Sequence, residues 1–259
     1  MLRLTGRYYQ TIPMDQAGYV EETLELDPAR TALVALHCWN IGCEDGPAID
    51  NRYWVGMGFP ETMAEAERIM RDVIRPALDA ARRAGIAVAH VEAETIARQH
   101  PEALAELDPP PPAGSAANPP AAPGWMTAMV ARHHGHEYWV DGPSARMDRA
   151  AVVAPLSGEI YAFQSGQLDR LLRRRGIENL IYTGFASDMC LLRAPGGIEP
   201  MAAYGYRVHL VRDATLGIEC PDTFAERLAT RWAIRYFETH YGDTVTAADF
   251  IAACDAFAR

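Results

Sequence analysis

The stretch Asn179–Thr215, NLIYTGFASDMCLLRAPGGIEPMAAYGYRVHLVRDAT, decides the fold. It opens on Leu180-Ile181-Tyr182-Thr183, an apolar run with a β-branched centre that stops at Gly184. Such a run bounded by a glycine reads as a buried strand of a parallel sheet. A short turn, Phe185 to Met189, leads to Cys190 at the start of a helical stretch. A second strand, Tyr206 to Val211, closes the unit on Arg212-Asp213. In an open α/β sheet, ligands sit in the crevice beyond the carboxyl ends of the strands. A thiol there meets backbone N–H groups and the positive end of a helix dipole, and both favour the thiolate. Cys190 therefore reads as a nucleophile presented just past a strand end. The alternative is a small buried core residue, a common place for free cysteine.

Working outward, Thr31–Leu36 is an apolar strand with no polar alternation, hence buried on both faces, and it ends on His37-Cys38-Trp39-Asn40. Glu61 to Ala84 carries apolar residues near helical spacing, with Pro76 expected to bend the helix and Gly85 to cap it. Ile86–Val91 is the next strand, with His90 near its end and Glu92 after it. A third strand is expected at Ala151–Ala154, followed by a loop, Pro155 to Phe163, and a helix, Ser165 to Arg175, that stops at Gly176. Beyond the cysteine unit come a helix from Pro221 to His240 and a terminal helix from Ala247. Strand and helix in alternation predict a three-layer α/β/α architecture with a doubly wound parallel sheet. Residues 1–29 read as an N-terminal arm that packs on the body or on a partner subunit, and 30–259 as a single domain. The pattern breaks between Thr95 and Ala150, where Pro109–Pro112 and Pro119-Pro120 interrupt regular structure. An insertion at about 97–150 is expected to be a lid, a binding loop or an interface arm.

Composition narrows the function classes. The chain is 49% apolar and 22% charged, an ordinary balance for a soluble globular protein. No apolar run reaches membrane-spanning length, and the N-terminus lacks the apolar core of a secretion signal, so no membrane partner and a cytoplasmic location are expected. A net charge of -10 leaves no basic patch for nucleic acid. The five scattered cysteines suit a reducing compartment better than a disulfide framework. All 24 basic residues are Arg, so no mechanism that needs a lysine can run here.

The stretch Gly184-Phe185-Ala186-Ser187-Asp188-Met189-Cys190, then Gly205-Tyr206, then Asp213-Ala214, resembles the signature of the isochorismatase-like cysteine hydrolases. That family includes nicotinamidases, N-carbamoylsarcosine amidases, biuret hydrolases and ureidoacrylate amidohydrolases. Ser187 stands where the family usually has Thr, and the interval from Cys190 to Gly205 is longer than usual. The likeness extends more weakly over roughly Thr31 to Phe257. It implies hydrolysis of an amide, carbamoyl or ureido C–N bond in a small molecule through a thioester on Cys190.

The resemblance also supplies expectations for the site. The family's Asp at the end of the first strand is represented here by His37, and its Lys has no counterpart. Histidine beside cysteine is a standard way to activate a thiol, so a Cys190–His37 dyad is expected, with Glu159 or Glu92 orienting the imidazole. The resemblance implies a non-proline cis peptide at Phe185-Ala186 and an oxyanion hole from the Ala186 and Cys190 N–H groups. Trp39, Asn40, Phe185, Ala186 and Ser187 are expected to contact substrate. Nicotinamidases bind a metal through an Asp and two His in the loop after the first strand. Here Ile41 to Pro60 contains no His, and no metal or other cofactor is expected. The tract His133-His134-Gly135-His136 reads as a solvated or substrate-facing loop, with a metal site as the lesser alternative. Family members usually assemble, and the apolar residues of the arm and the insertion add to an expectation of a homodimer or homotetramer. Two other readings remain open: a catalytically silent binding or assembly protein, and a hydrolase that does not use thiol attack.

Overall fold

A computed structural model describes residues 1–109 and 124–258. The Pro-rich run 110–123, part of the expected insertion, lies outside the described residues. Eight described strands form one sheet in the order β2-β1-β8-β7-β6-β3-β4-β5. They are β1 Leu2–Gln10, β2 Gly18–Leu26, β3 Thr31–Leu36, β4 Ala87–Val91, β5 Ile160–Ala162, β6 Asn179–Phe185, β7 Arg207–Leu216 and β8 Thr244–Val245. From β8 to β5 every pairing is parallel. Every residue of β3 and of β6 is buried, as their unbroken apolar runs require. Two large hydrophobic clusters, one containing Leu33, Ile181 and Phe250 and the other Val34, Tyr182 and Phe237, form the core.

Several elements differ from the sequence reading. The N-terminal segment is an antiparallel hairpin, and β1 joins the sheet through β8 at Arg7 and Thr244. Leu2 and Leu4 alternate with exposed Arg3 and Thr5 and are buried in the chain's own core. Ala151–Val153 is a 3-10 turn, not a strand. Pro155 has no N–H to give a ladder, and the edge strand forms after Gly158, at Ile160–Ala162. The predicted bend at Pro76 is a π-helical turn, Met70–Ile74, joining helices Pro60–Ile69 and Arg75–Arg83. The helix expected from Pro221 begins at Leu228. Within the insertion, Gly124–His134 is helical, because Trp125 to His134 contains no helix breaker. Among the described residues no helix is long and apolar enough to cross a membrane.

Candidate active site

The chain leaves β3 toward β4 and returns on the opposite side as β6, so the strand order reverses at the β3–β6 pair. A doubly wound sheet opens a crevice at its carboxyl edge at such a point. Leu36, the last residue of β3, lies opposite Gly184 on one side and Val91 on the other. Gly184 has φ 107, and a Cβ there would fall 2.0 Å from the Leu36 carbonyl oxygen. Glycine alone allows β6 to approach β3 this closely. His37 follows β3, and Cys190 opens the short helix Cys190–Arg193 after β6. The turn between is held by the Met189 and Leu191 N–H groups, which donate to the Ala186 carbonyl at 3.1 and 3.0 Å. The Phe185–Ala186 peptide is cis, at the position the resemblance implied.

His37, Trp39, Phe185, Ala186 and Cys190 line one cavity of about 160 Å³. Its other walls come from the loop after β3, from Met63 and Met70 of the first helix pair, and from His134 and Tyr138 of the insertion. His37 has φ 51, and its N–H donates to the Val91 carbonyl at 2.9 Å. Its ring stacks on Trp39 with centroids 5.0 Å apart, and Trp39 Nε1–H donates to Glu92 Oε2 at 2.9 Å. His37 Nδ1 is buried with no hydrogen-bond partner among the described residues.

Burial sets the protonation states. It lowers the His37 pKa to about 4. It raises that of Cys190, with Asp188 adding to the rise and a hydrogen bond from the Ala186 N–H opposing it. Glu92 is pushed up to about 8, again by burial, against the Trp39 hydrogen bond. Near pH 7 the cavity therefore holds a neutral thiol and a neutral imidazole. The expected thiolate is not favoured: burial raises the thiol, and the four-residue helix behind Cys190 has little dipole to set against it.

Three expected site residues are engaged elsewhere. Glu159 pairs with Arg82 at 2.8 Å and His90 at 3.0 Å, and accepts from the Leu156 N–H at 2.8 Å. Those bonds outweigh burial and hold its carboxyl down to about 2. It does not line the cavity and does not orient His37. Glu92 reaches His37 only through the Trp39 ring. Asn40 is a loop clamp: its Nδ2 donates to the Asp45 carbonyl at 3.0 Å and its Oδ1 accepts from the Asp148 N–H at 2.8 Å. Ser187 donates its N–H to the Leu216 carbonyl at 3.0 Å, and its buried hydroxyl stays outside the cavity lining.

His134, from the tract read as a solvated or substrate-facing loop, lines the cavity, as do Met57 and Tyr138, which the sequence did not point to. His134 Nδ1 meets the Trp54 carbonyl at 3.1 Å and the ring packs against Trp54 and Tyr138, each with centroids 5.2 Å apart. The histidine tract was the available signal. Among the described residues no group of three or more His, Cys, Asp or Glu is arranged to hold a metal ion.

The family model for the isochorismatase domain matches residues 51–249. The chain belongs to the isochorismatase family. Among solved structures it is similar to a cysteine hydrolase from Pseudomonas syringae pv. phaseolicola 1448A, at 18% identity and TM-score 0.55, over 90% of this chain and 96% of that one. It is also similar to an isochorismatase family protein from Desulfovibrio vulgaris, at 21% identity and TM-score 0.48, over 89% and 99% of the two chains. A nicotinamidase from Staphylococcus aureus matches at 14% identity and TM-score 0.43, over 81% of this chain and 94% of that one. At these identities the likeness speaks to the fold alone. No curated protein matches the chain. The matched domain spans the helices, strands and turn that bring His134 and Cys190 to the cavity.

Proposed function

We propose that this isochorismatase-family protein hydrolyses the C–N bond of an amide, carbamoyl or ureido group in a small molecule, with Cys190 as nucleophile. The observation that carries the reading is the meeting of Cys190, Ala186 and His37 at one small cavity. The sulfur attacks the carbonyl carbon while His37 takes the thiol proton. The N–H groups of Ala186 and Cys190 receive the oxyanion; as the first residue of its helix, Cys190 has no intrahelical use for that N–H. The His37 proton then passes to the leaving nitrogen as the C–N bond breaks, leaving a thioester. Water attacks the thioester with His37 again as base, the C–S bond breaks, and the thiol is restored. The developing oxyanion supplies the countercharge that makes His37 basic enough to act. Trp39 and Phe185 flank the reacting group.

The test is a panel of amides and ureas incubated with the protein, with intact-mass detection and peptide mapping. An acyl adduct on Cys190 that disappears in Cys190→Ala supports the reading. Ligand binding with no adduct and no product favours the silent binding protein instead.

A homodimer or homotetramer is also proposed. Trp125, Met126 and Met129 are exposed along the helix Gly124–His134. In the arm, Leu2 and Leu4 are buried in their own subunit, whereas Ile12, Met14 and Tyr19 are exposed. Light scattering reporting a mass near 28.5 kDa contradicts assembly.

A further inference from the structure

The cavity beside Cys190 is bare of charge. None of the described residues that line it is Asp, Glu or Arg. The sequence contains no Lys, and the run 110–123 contains no ionisable side chain at all, so it has no charge to add. The walls are thioethers and aromatic or aliphatic groups, including Met57, Met63, Met70, Trp54 and Ile41. Thioethers pack well against flat, polarizable rings. The volume of about 160 Å³ is close to that of an engineered apolar cavity, roughly 150 Å³, that takes up benzene. A carboxylate buried here meets neither Arg nor Lys and loses its water.

His134 adds one polar handle. The Trp54 carbonyl oxygen can only accept, so His134 Nδ1 carries the proton in that contact. Nε2 is then the ring nitrogen left to accept a hydrogen bond.

We infer that the acyl group accepted at this site is uncharged, apolar and about the size of one aromatic ring, and that His134 selects a ring that carries a hydrogen-bond donor. The inference rests on the proposed hydrolase reading for the word acyl, yet it concerns binding and is measured without turnover. Carboxylate-bearing ureido and amido acids are excluded as substrates.

The experiment is protection of Cys190 from iodoacetamide, followed by peptide mass. Benzamide and benzoate are nearly isosteric and differ in charge. Benzamide is expected to protect at concentrations about a hundredfold lower than benzoate, since an unpaired buried charge costs more than one lost hydrogen bond. Equal or better protection by benzoate overturns the inference, and so does protection by neither. Pyrrole-2-carboxamide, which carries a ring N–H, is expected to protect about fivefold better than furan-2-carboxamide, the worth of one net hydrogen bond. His134→Ala is expected to abolish that preference; a preference that survives removes His134 from the inference. Absence of any acyl adduct or product in the turnover panel, with benzamide still protecting, sinks the hydrolase reading alone.

Discussion

Trp39 touches two regions that handle charge in opposite ways. On one side lies the cavity, with Cys190, His37 and walls of methionine and aromatic rings. On the other, its indole N–H reaches Glu92, and Glu92 neighbours a dense ionic cluster. There Arg149 pairs with Glu102 at 2.9 Å and lies over Tyr161, and His100 pairs with Asp148 at 2.7 Å. Arg82 of the second helix, Glu159 before β5 and His90 of β4 form a second cluster. Of the carboxylates that the sequence offers to the dyad, Glu159 is thus spent on Arg82 and His90, and Glu92 accepts from the Trp39 indole. On the proposed reading, with no Asp, Glu or Arg lining the cavity, proton transfer belongs to the attack itself and not to a resting ion pair.

Ways to break this contrast run from the nucleophile outward. Cys190→Ala is expected to lower turnover by about 10⁴-fold or more, read as product formed per hour on whichever amide the panel identifies. Turnover within tenfold of the parent would move the chemistry off the thiol. Glu159→Ala should act on stability and not on chemistry. It leaves Arg82 and His90 without their shared partner, and a partly exposed pair of this kind costs about 2 kcal/mol when broken. Denaturant melts measure that loss; a large fall in the Cys190 acylation rate of the folded variant would return Glu159 to the dyad. Trp39→Phe keeps a ring against His37 and removes the Glu92 hydrogen bond. It is expected to slow acylation about tenfold, from a loosened imidazole. Glu92→Gln keeps an acceptor for Trp39, so its rate at pH 7 should stay within a few-fold of the parent.

The smallest effect concerns stability against pH. The His37 pKa is lowered on folding from 6.5 to about 4. Between those values the unfolded chain binds the proton and the folded chain does not, so stability falls as pH drops from 6.5 toward 4. His37→Asn should flatten that part of the melting-temperature profile. An unchanged slope would assign the acid loss to other groups, of which buried His209, also lowered to about 4, is one.

What was legible in the sequence was local. The buried run, the glycine stop and Cys190 sit within eleven consecutive residues, and the chemistry of each is written in its own type. The end of β3 was legible too, because an unbroken apolar run stops at His37. Glu159 was misassigned because its partners, Arg82 and His90, are 77 and 69 residues away and compete for it only in three dimensions. The hairpin was missed although Leu2, Arg3, Leu4 and Thr5 alternate; a strand with one exposed, charged face has no apolar run to announce it. The neutrality of the cavity was not legible at all. It depends on which residues of the loop after β3, of the bent helix and of the insertion converge there.

The central claim is that Cys190 and His37, which line one cavity, are both uncharged in the free protein. It is tested most directly by the pH dependence of Cys190 carbamidomethylation, followed by peptide mass from pH 5 to 10. The account predicts a rate that is low at pH 6 and still climbing at pH 9, since burial places the thiol above its ordinary 9.0. A plateau between pH 5 and 8, the signature of a preformed thiolate–imidazolium pair, would contradict it.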